Sequence, residues 1–141
     1  IGSPAPEFRL TDLSGRTVTL AEYRGKVVLL DFWATWCASC EVELPGLKGL
    51  HKRFSPDDFA LLAASVDEGG PEVVARYASE KAVPFRVLFA DQAASSAYRI
   101  FGLPTKFLID RDGIVVRKYL DGVAPADLAK DIQSQLDRRP S

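Results

Sequence analysis

The chain has 141 residues, 47% hydrophobic and 26% charged, with 18 basic against 19 acidic side chains and a formal net charge of -1. This is the composition of an ordinary globular protein with enough chain for one substantial core, so one domain over residues 1–141 is expected. The near-neutral balance gives no footprint for nucleic acid or an anionic membrane, and no apolar run approaches the ~20 residues that span a bilayer.

In chain order, EFRL and RTVTL flank TDLSGR, whose Asp, Ser and Gly favour a turn. A hairpin over Glu7 to Leu20 is predicted, covering an edge of the main sheet. KVVLLDFW, Lys26 to Trp33, is apolar, β-branched and too short for a typical helix, which predicts a central strand buried on both faces. The only two cysteines, Cys37 and Cys40, follow at its carboxyl end. Beyond Ala38, residues Val42, Leu44, Leu47, Leu50 and Phe54 follow helical spacing up to the SPDD break at Ser55. Pro45 inside that helix cannot donate to the carbonyl of Glu41 and should kink the axis.

FALLAASV, Phe59 to Val66, reads as a second buried strand, and PEVVARYASEKA as a helix opened by Pro71, with Val73, Val74, Tyr77 and Ala78 on one side. FRVLF reads as a short strand, QAASSAYRIFG as a helix ending at Gly102, and TKFLID and IVVRKYL as a hairpin about RDG. ADLAKDIQSQL, introduced by Pro125, is a closing helix. Strands alternating with helices, then a hairpin and helix, imply a three-layer α/β fold with a mixed sheet.

The cysteine pair sits where a helix should start. There, unsatisfied backbone N–H groups and the positive end of the helix dipole stabilise a thiolate, which makes Cys37 the candidate nucleophile. Cys40, one turn inward and shielded, can attack a mixed disulfide on Cys37. A closed zinc site needs four ligands, and the chain offers two cysteines and His51. A purely structural bridge closing so small a ring gains little chain entropy. His51, near the helix end, suits solvent or the helix dipole, and no site role is assigned to it.

Asp31 interrupts the apolar strand; if buried, it would be held neutral and could exchange a proton near Cys40, whereas strict alternation could instead turn it to water. Glu43, one turn beyond Cys40, can return its carboxylate to the cysteine pair or simply be solvated. Both are candidates for general acid-base help. The Leu103-Pro104 bond would be trans on base rates alone.

These residues resemble the thioredoxin superfamily, in particular the TlpA, ResA and DsbE-like thiol-disulfide oxidoreductases of the redoxin (AhpC/TSA-like) group. APEFRLTDLSGRTVTLAEYRGKVVLLDFWATWCASC is similar to their hairpin, first core strand and active-site segment, and YRIFGLPTKFLIDRDGIVV to their cis-proline segment and following hairpin. WCxxC followed by E-x-P, with a distant G-x-P-T, makes the likeness specific. The resemblance implies a thioredoxin-like fold with an N-terminal hairpin and a helix-strand insertion over 71–89. It also implies that Cys37 attacks, that Cys40 resolves, and that Pro104 is cis. Leu103 would offer backbone groups to a partner strand, with Trp36 and Pro104 beside it in contact with substrate. Asp31 matches the buried acid of thioredoxin and Glu43 the active-site glutamate of the ResA-like branch.

The activity implied is reduction of disulfides in other proteins by an extracytoplasmic monomer, with no cofactor. An apocytochrome c is the leading substrate class, copper-site assembly proteins are a second, and a membrane thiol carrier is the electron donor. The chain starts at Ile1 and contains no Met, so a signal peptide or anchor is expected to be missing from it. Two departures stand out: Ala38-Ser39 between the cysteines, where a proline commonly precedes the second, and Lys106 after the Pro-Thr pair, where a small polar or apolar residue is usual.

Three rival readings remain. A peroxiredoxin-like peroxidase would want Thr and Pro where Ala34 and Leu30 stand. A Sco-type copper-binding module would want C-x-x-x-C and a distant histidine. The third is a thioredoxin-fold interaction domain whose disulfide is incidental.

Overall fold

The computed structural model describes residues 1–120 and 122–138. Its strands are β1 (Arg9–Asp12), β2 (Thr17–Thr19), β3 (Val27–Trp33), β4 (Phe59–Ser65), β5 (Arg86–Phe89), β6 (Thr105–Ile109) and β7 (Val115–Leu120), and its helices α1 (Ala38–Arg53), α2 (Pro71–Glu80), α3 (Gln92–Ala97) and α4 (Pro125–Leu136). Among the described residues they form one mixed sheet in the order β2-β1-β5-β4-β3-β6-β7. β3, β4 and β5 run parallel, joined by helical crossovers, while β6 and β7 return antiparallel on one side and β1 and β2 on the other. The N-terminal hairpin thus extends the sheet at the β5 edge, as the sequence predicts.

Every residue of β3 is buried, because both faces of the sheet are covered. Val27, Leu29 and Trp33 point to a core shared with Leu47 and Leu50 of α1, Val74 of α2 and Ile132 of α4. Val28, Leu30 and Phe32 point the other way, to Leu10, Val18, Ala94 of α3 and Tyr98, which caps that helix. Asp31 therefore falls by strict alternation on the face carrying α1 and the cysteines, and burial, not solvent, is its environment.

Three local expectations are corrected. α3 stops at Ala97, well short of Gly102. The N–H of Ile100 donates to Ser95 and that of Arg99 to Ser96, with Arg99 at φ +53°, which closes the helix in a Schellman turn. Val42 is 81% exposed, because at 100° per residue it lies opposite the buried line through Cys40, Leu47 and Leu50. Val73 is likewise exposed, leaving Val74 and Ala78 as the buried residues of α2. Pro45 lies inside α1, which is continuous from Ala38 to Arg53.

Candidate active site

β3 delivers the chain at Trp33 to a short loop that turns into α1. That loop is held by Asp67, just past β4: its carboxylate accepts the Thr35 N–H at 2.8 Å and the Thr35 hydroxyl at 2.5 Å. Cys37 occupies the N-cap of α1 in an extended backbone conformation, and its Sγ accepts the N–H of Cys40 at 3.2 Å. A sulfur at an N-cap receives one of the helix's unpaired donors and feels the positive dipole end, which favours a thiolate when the pair is reduced. Here the two cysteines form a disulfide with Cα atoms 5.3 Å apart. Both residues are buried in this oxidised form, Cys37 as much as Cys40.

Beneath the disulfide lies a buried group of charges. Antiparallel pairing of β3 with β6 sets Asp31 directly opposite Lys106, on the same face of the sheet. The Lys106 side chain is 0% exposed, its Nζ bonds Glu43 Oε1, and it stands 3.9 Å from Asp31 Oδ1. That separation is an ion pair without a hydrogen bond, and Asp31 Oδ1 has no hydrogen-bond partner. Burial pushes the Asp31 carboxyl up to about 7, against the opposing pull of Lys106 and with a smaller push from Glu43. Asp31, Trp33 and Cys40 border one cavity of about 20 Å³, together with Tyr77 and Phe85.

Glu43 follows Cys40 by one turn, as its spacing requires, but its carboxylate is engaged by Lys106 and by the Val123 N–H at 3.3 Å. Its carboxylate is thus committed to the buried charges. His51 lies edge-on to Phe85, with ring centroids 6.0 Å apart, in the last turn of α1.

The Leu103-Pro104 peptide is cis, against the base-rate expectation and in line with the resemblance. The pairing Phe32↔Thr105 brings Pro104 to the end of β3 from which the cysteine loop departs. Leu103 is half-buried between the two cores, while Trp36 is 71% and Phe101 93% exposed. An open groove of about 350 Å³ runs past Phe101, Leu103, Pro104 and Leu120, with Arg99 and Lys118 at its sides.

Two residues of this arrangement were given no site role from the sequence. Lys106 had a signal, since one lysine interrupts TKFLI as one aspartate interrupts VVLLDFW, but only the strand register joins them. Asp67 had none, because it meets Thr35 only once β3 and β4 lie side by side.

The AhpC/TSA family model matches residues 1–118. The chain is 36% identical over 136 residues to the thiol-disulfide oxidoreductase ResA of Geobacillus kaustophilus, covering 95% of this chain and 77% of that protein. It is 33% identical over 116 residues to the thioredoxin-like protein YneN of Bacillus subtilis, covering 81% of this chain and 68% of that one. Among solved structures, a thiol:disulfide interchange protein of the thioredoxin family from Chlorobium tepidum superposes with a TM-score of 0.87 at 26% identity, covering 96% of this chain and 97% of that one. The thioredoxin domain of a thiol-disulfide oxidoreductase from Bacteroides vulgatus superposes at 0.86 with 28% identity, covering 96% and 97%.

Proposed function

The chain belongs to the AhpC/TSA family and is a thiol-disulfide oxidoreductase of the ResA- and DsbE-like thioredoxin kind, and we propose that it works as a reductant of protein disulfides outside the cytoplasm. The observation that carries this reading is the disulfide at the N-terminus of α1, with Cys37 Sγ already accepting a helix N–H.

In the reduced protein the Cys37 thiolate attacks one sulfur of a substrate disulfide. A mixed disulfide forms and the other substrate sulfur leaves as a thiolate. Cys40 gives up its proton and attacks Cys37 Sγ; the bond between Cys37 and substrate breaks, and the second substrate sulfur departs as a thiolate. Two electrons have passed to the substrate, and the Cys37–Cys40 disulfide is restored. Asp31, poised near neutrality, is the base that takes the Cys40 proton, because a base works best when its pKa lies near the working pH. Pro104 and Leu103 offer the backbone at which an extended substrate segment docks, and Trp36 and Phe101 the apolar contacts. We assign an apocytochrome c as the substrate, a membrane thiol carrier as the source of electrons, and a single chain as the working unit.

Cys40→Ser should accumulate a covalent complex with substrate protein through Cys37, released by excess thiol, and Cys37→Ser should accumulate none. Equal trapping by both variants would sink the assigned roles. A reduction potential for the pair below about -240 mV supports a reductant, and one above about -180 mV reverses the direction of electron flow.

A further inference from the structure

We propose that Lys106 is a positioning residue for the second exchange step: its buried ammonium is shared between Glu43 and Asp31, so that Glu43 controls how much of that charge Asp31 feels and thereby when Asp31 can take the proton of Cys40. The proposal rests on the reading of Cys40 as the resolving thiol.

The geometry supplies each link. One cation stands between two carboxyl groups, with no exposure of the lysine side chain and little of either acid. If both acids are ionised the cluster carries an uncompensated negative charge away from water, which the low-dielectric interior disfavours, so the cluster retains one proton. Glu43 is the better-supplied acceptor, with the ammonium on one oxygen and the Val123 N–H on the other. Asp31 Oδ1 has neither and stands 3.9 Å from the ammonium. The retained proton therefore belongs to Asp31, which holds it up to about pH 7, and only the carboxylate left on its release can take the proton of Cys40. The groups around Asp31 come from every layer packed on it: Lys106 from β6 and Glu43 from α1, with Cys40 of α1 and Tyr77 of α2 bordering the same cavity. β4 sets only Ala63 beside it, and the β7 neighbour of Lys106, Tyr119, has its hydroxyl committed to Asp131 of α4.

Loss of the lysine and loss of the glutamate should have opposite effects. Without Lys106, nothing offsets the desolvation of Asp31, and it stays protonated to higher pH. With a neutral glutamine at 43, the whole ammonium charge is available to Asp31, which then ionises at lower pH. A side chain that merely filled space would shift neither titration.

The carboxyl carbon resonances of Asp31 and Glu43 can be followed from about pH 4 to about pH 9 in the oxidised protein, where neither cysteine titrates, for wild type, Lys106→Met and Glu43→Gln. We expect the Asp31 inflection to rise by about one pH unit or more in K106M and to fall by a comparable amount in E43Q. Movement in the same direction, or none, overturns the proposal. If K106M does not fold, E43Q decides alone, and only a downward shift supports it. In the reduced proteins the pH profile of insulin reduction should move with the Asp31 inflection; a profile that ignores it removes the link to Cys40. Wild type that reduces neither insulin nor a disulfide-bonded apocytochrome c at any pH would refute the proposed function, and the carboxyl titration reports on Lys106 independently of that result.

Discussion

At the scale of single residues, the cost of the site is concentrated at Asp31. Its carboxyl is raised by burial from its ordinary 3.8 to about 7, so between those values the folded protein holds a proton that the unfolded chain has released. Stability accordingly falls as pH rises through that window and levels off above it, by up to roughly 4 kcal/mol for a shift of this size. Asp31→Asn removes the ionisable group. In urea denaturation its stability relative to wild type should grow between about pH 4 and about pH 8 and then stay level. A relative stability independent of pH would mean that Asp31 is not the buried, proton-holding acid its surroundings require.

At the scale of elements, the site depends on how closely α1 and α4 approach. A Cβ placed on Gly46 would stand 2.5 Å from Cγ of Pro125, at the first position of α4, and a proline ring cannot swing aside. Helix propensity alone would favour Gly46→Ala by about 1 kcal/mol, but overpacking of this kind costs about 1–3 kcal/mol. The expected outcome is a net loss of ~1 kcal/mol in urea denaturation. Displacement of the α4 start should also weaken the Val123 N–H bond to Glu43, two residues before Pro125. A stabilised G46A would show that the two helices can part freely. The short α3 teaches a related lesson. Its composition suits a longer helix, yet Arg99 adopts the left-handed conformation that ends it, and the Tyr98 hydroxyl bonds the carbonyl of Pro6 at 2.6 Å. The tertiary anchor fixes where the helix stops.

At the scale of the whole molecule, large exposed apolar side chains gather beside the cysteine and cis-proline segments. Trp36 precedes Cys37, and Phe101 and Leu120 rim the groove beside Pro104. Exposed aromatics beside a reactive centre supply binding area for a chain rather than for a small molecule. Trp36→Ala and Phe101→Ala should lower the rate with a protein disulfide several-fold through KM, while the rate with a small disulfide such as oxidised glutathione changes little. Equal losses with both substrates would place these side chains in the chemistry instead of in docking.

The sequence by itself determined the order of strands and helices, the burial of β3, the cysteines at a helix start and the family likeness. Each of these depends on local periodicity, turn chemistry or a contiguous motif, which neighbouring residues carry among themselves. It could mark Asp31 as a candidate buried acid near Cys40 and Lys106 as a departure beside the cis-proline without joining the two, and Asp67 not at all. Their meeting was decided by the tertiary structure, through the antiparallel register that sets Asp31 beside Lys106, the crossover that lays Asp67 against Thr35, and the helix turn that hands Glu43 to the lysine. The physical reason is that a buried charge has no stable state of its own. Its partner is chosen by whatever the fold brings within a few ångströms, and that proximity is a property of strand order, not of spacing along the chain.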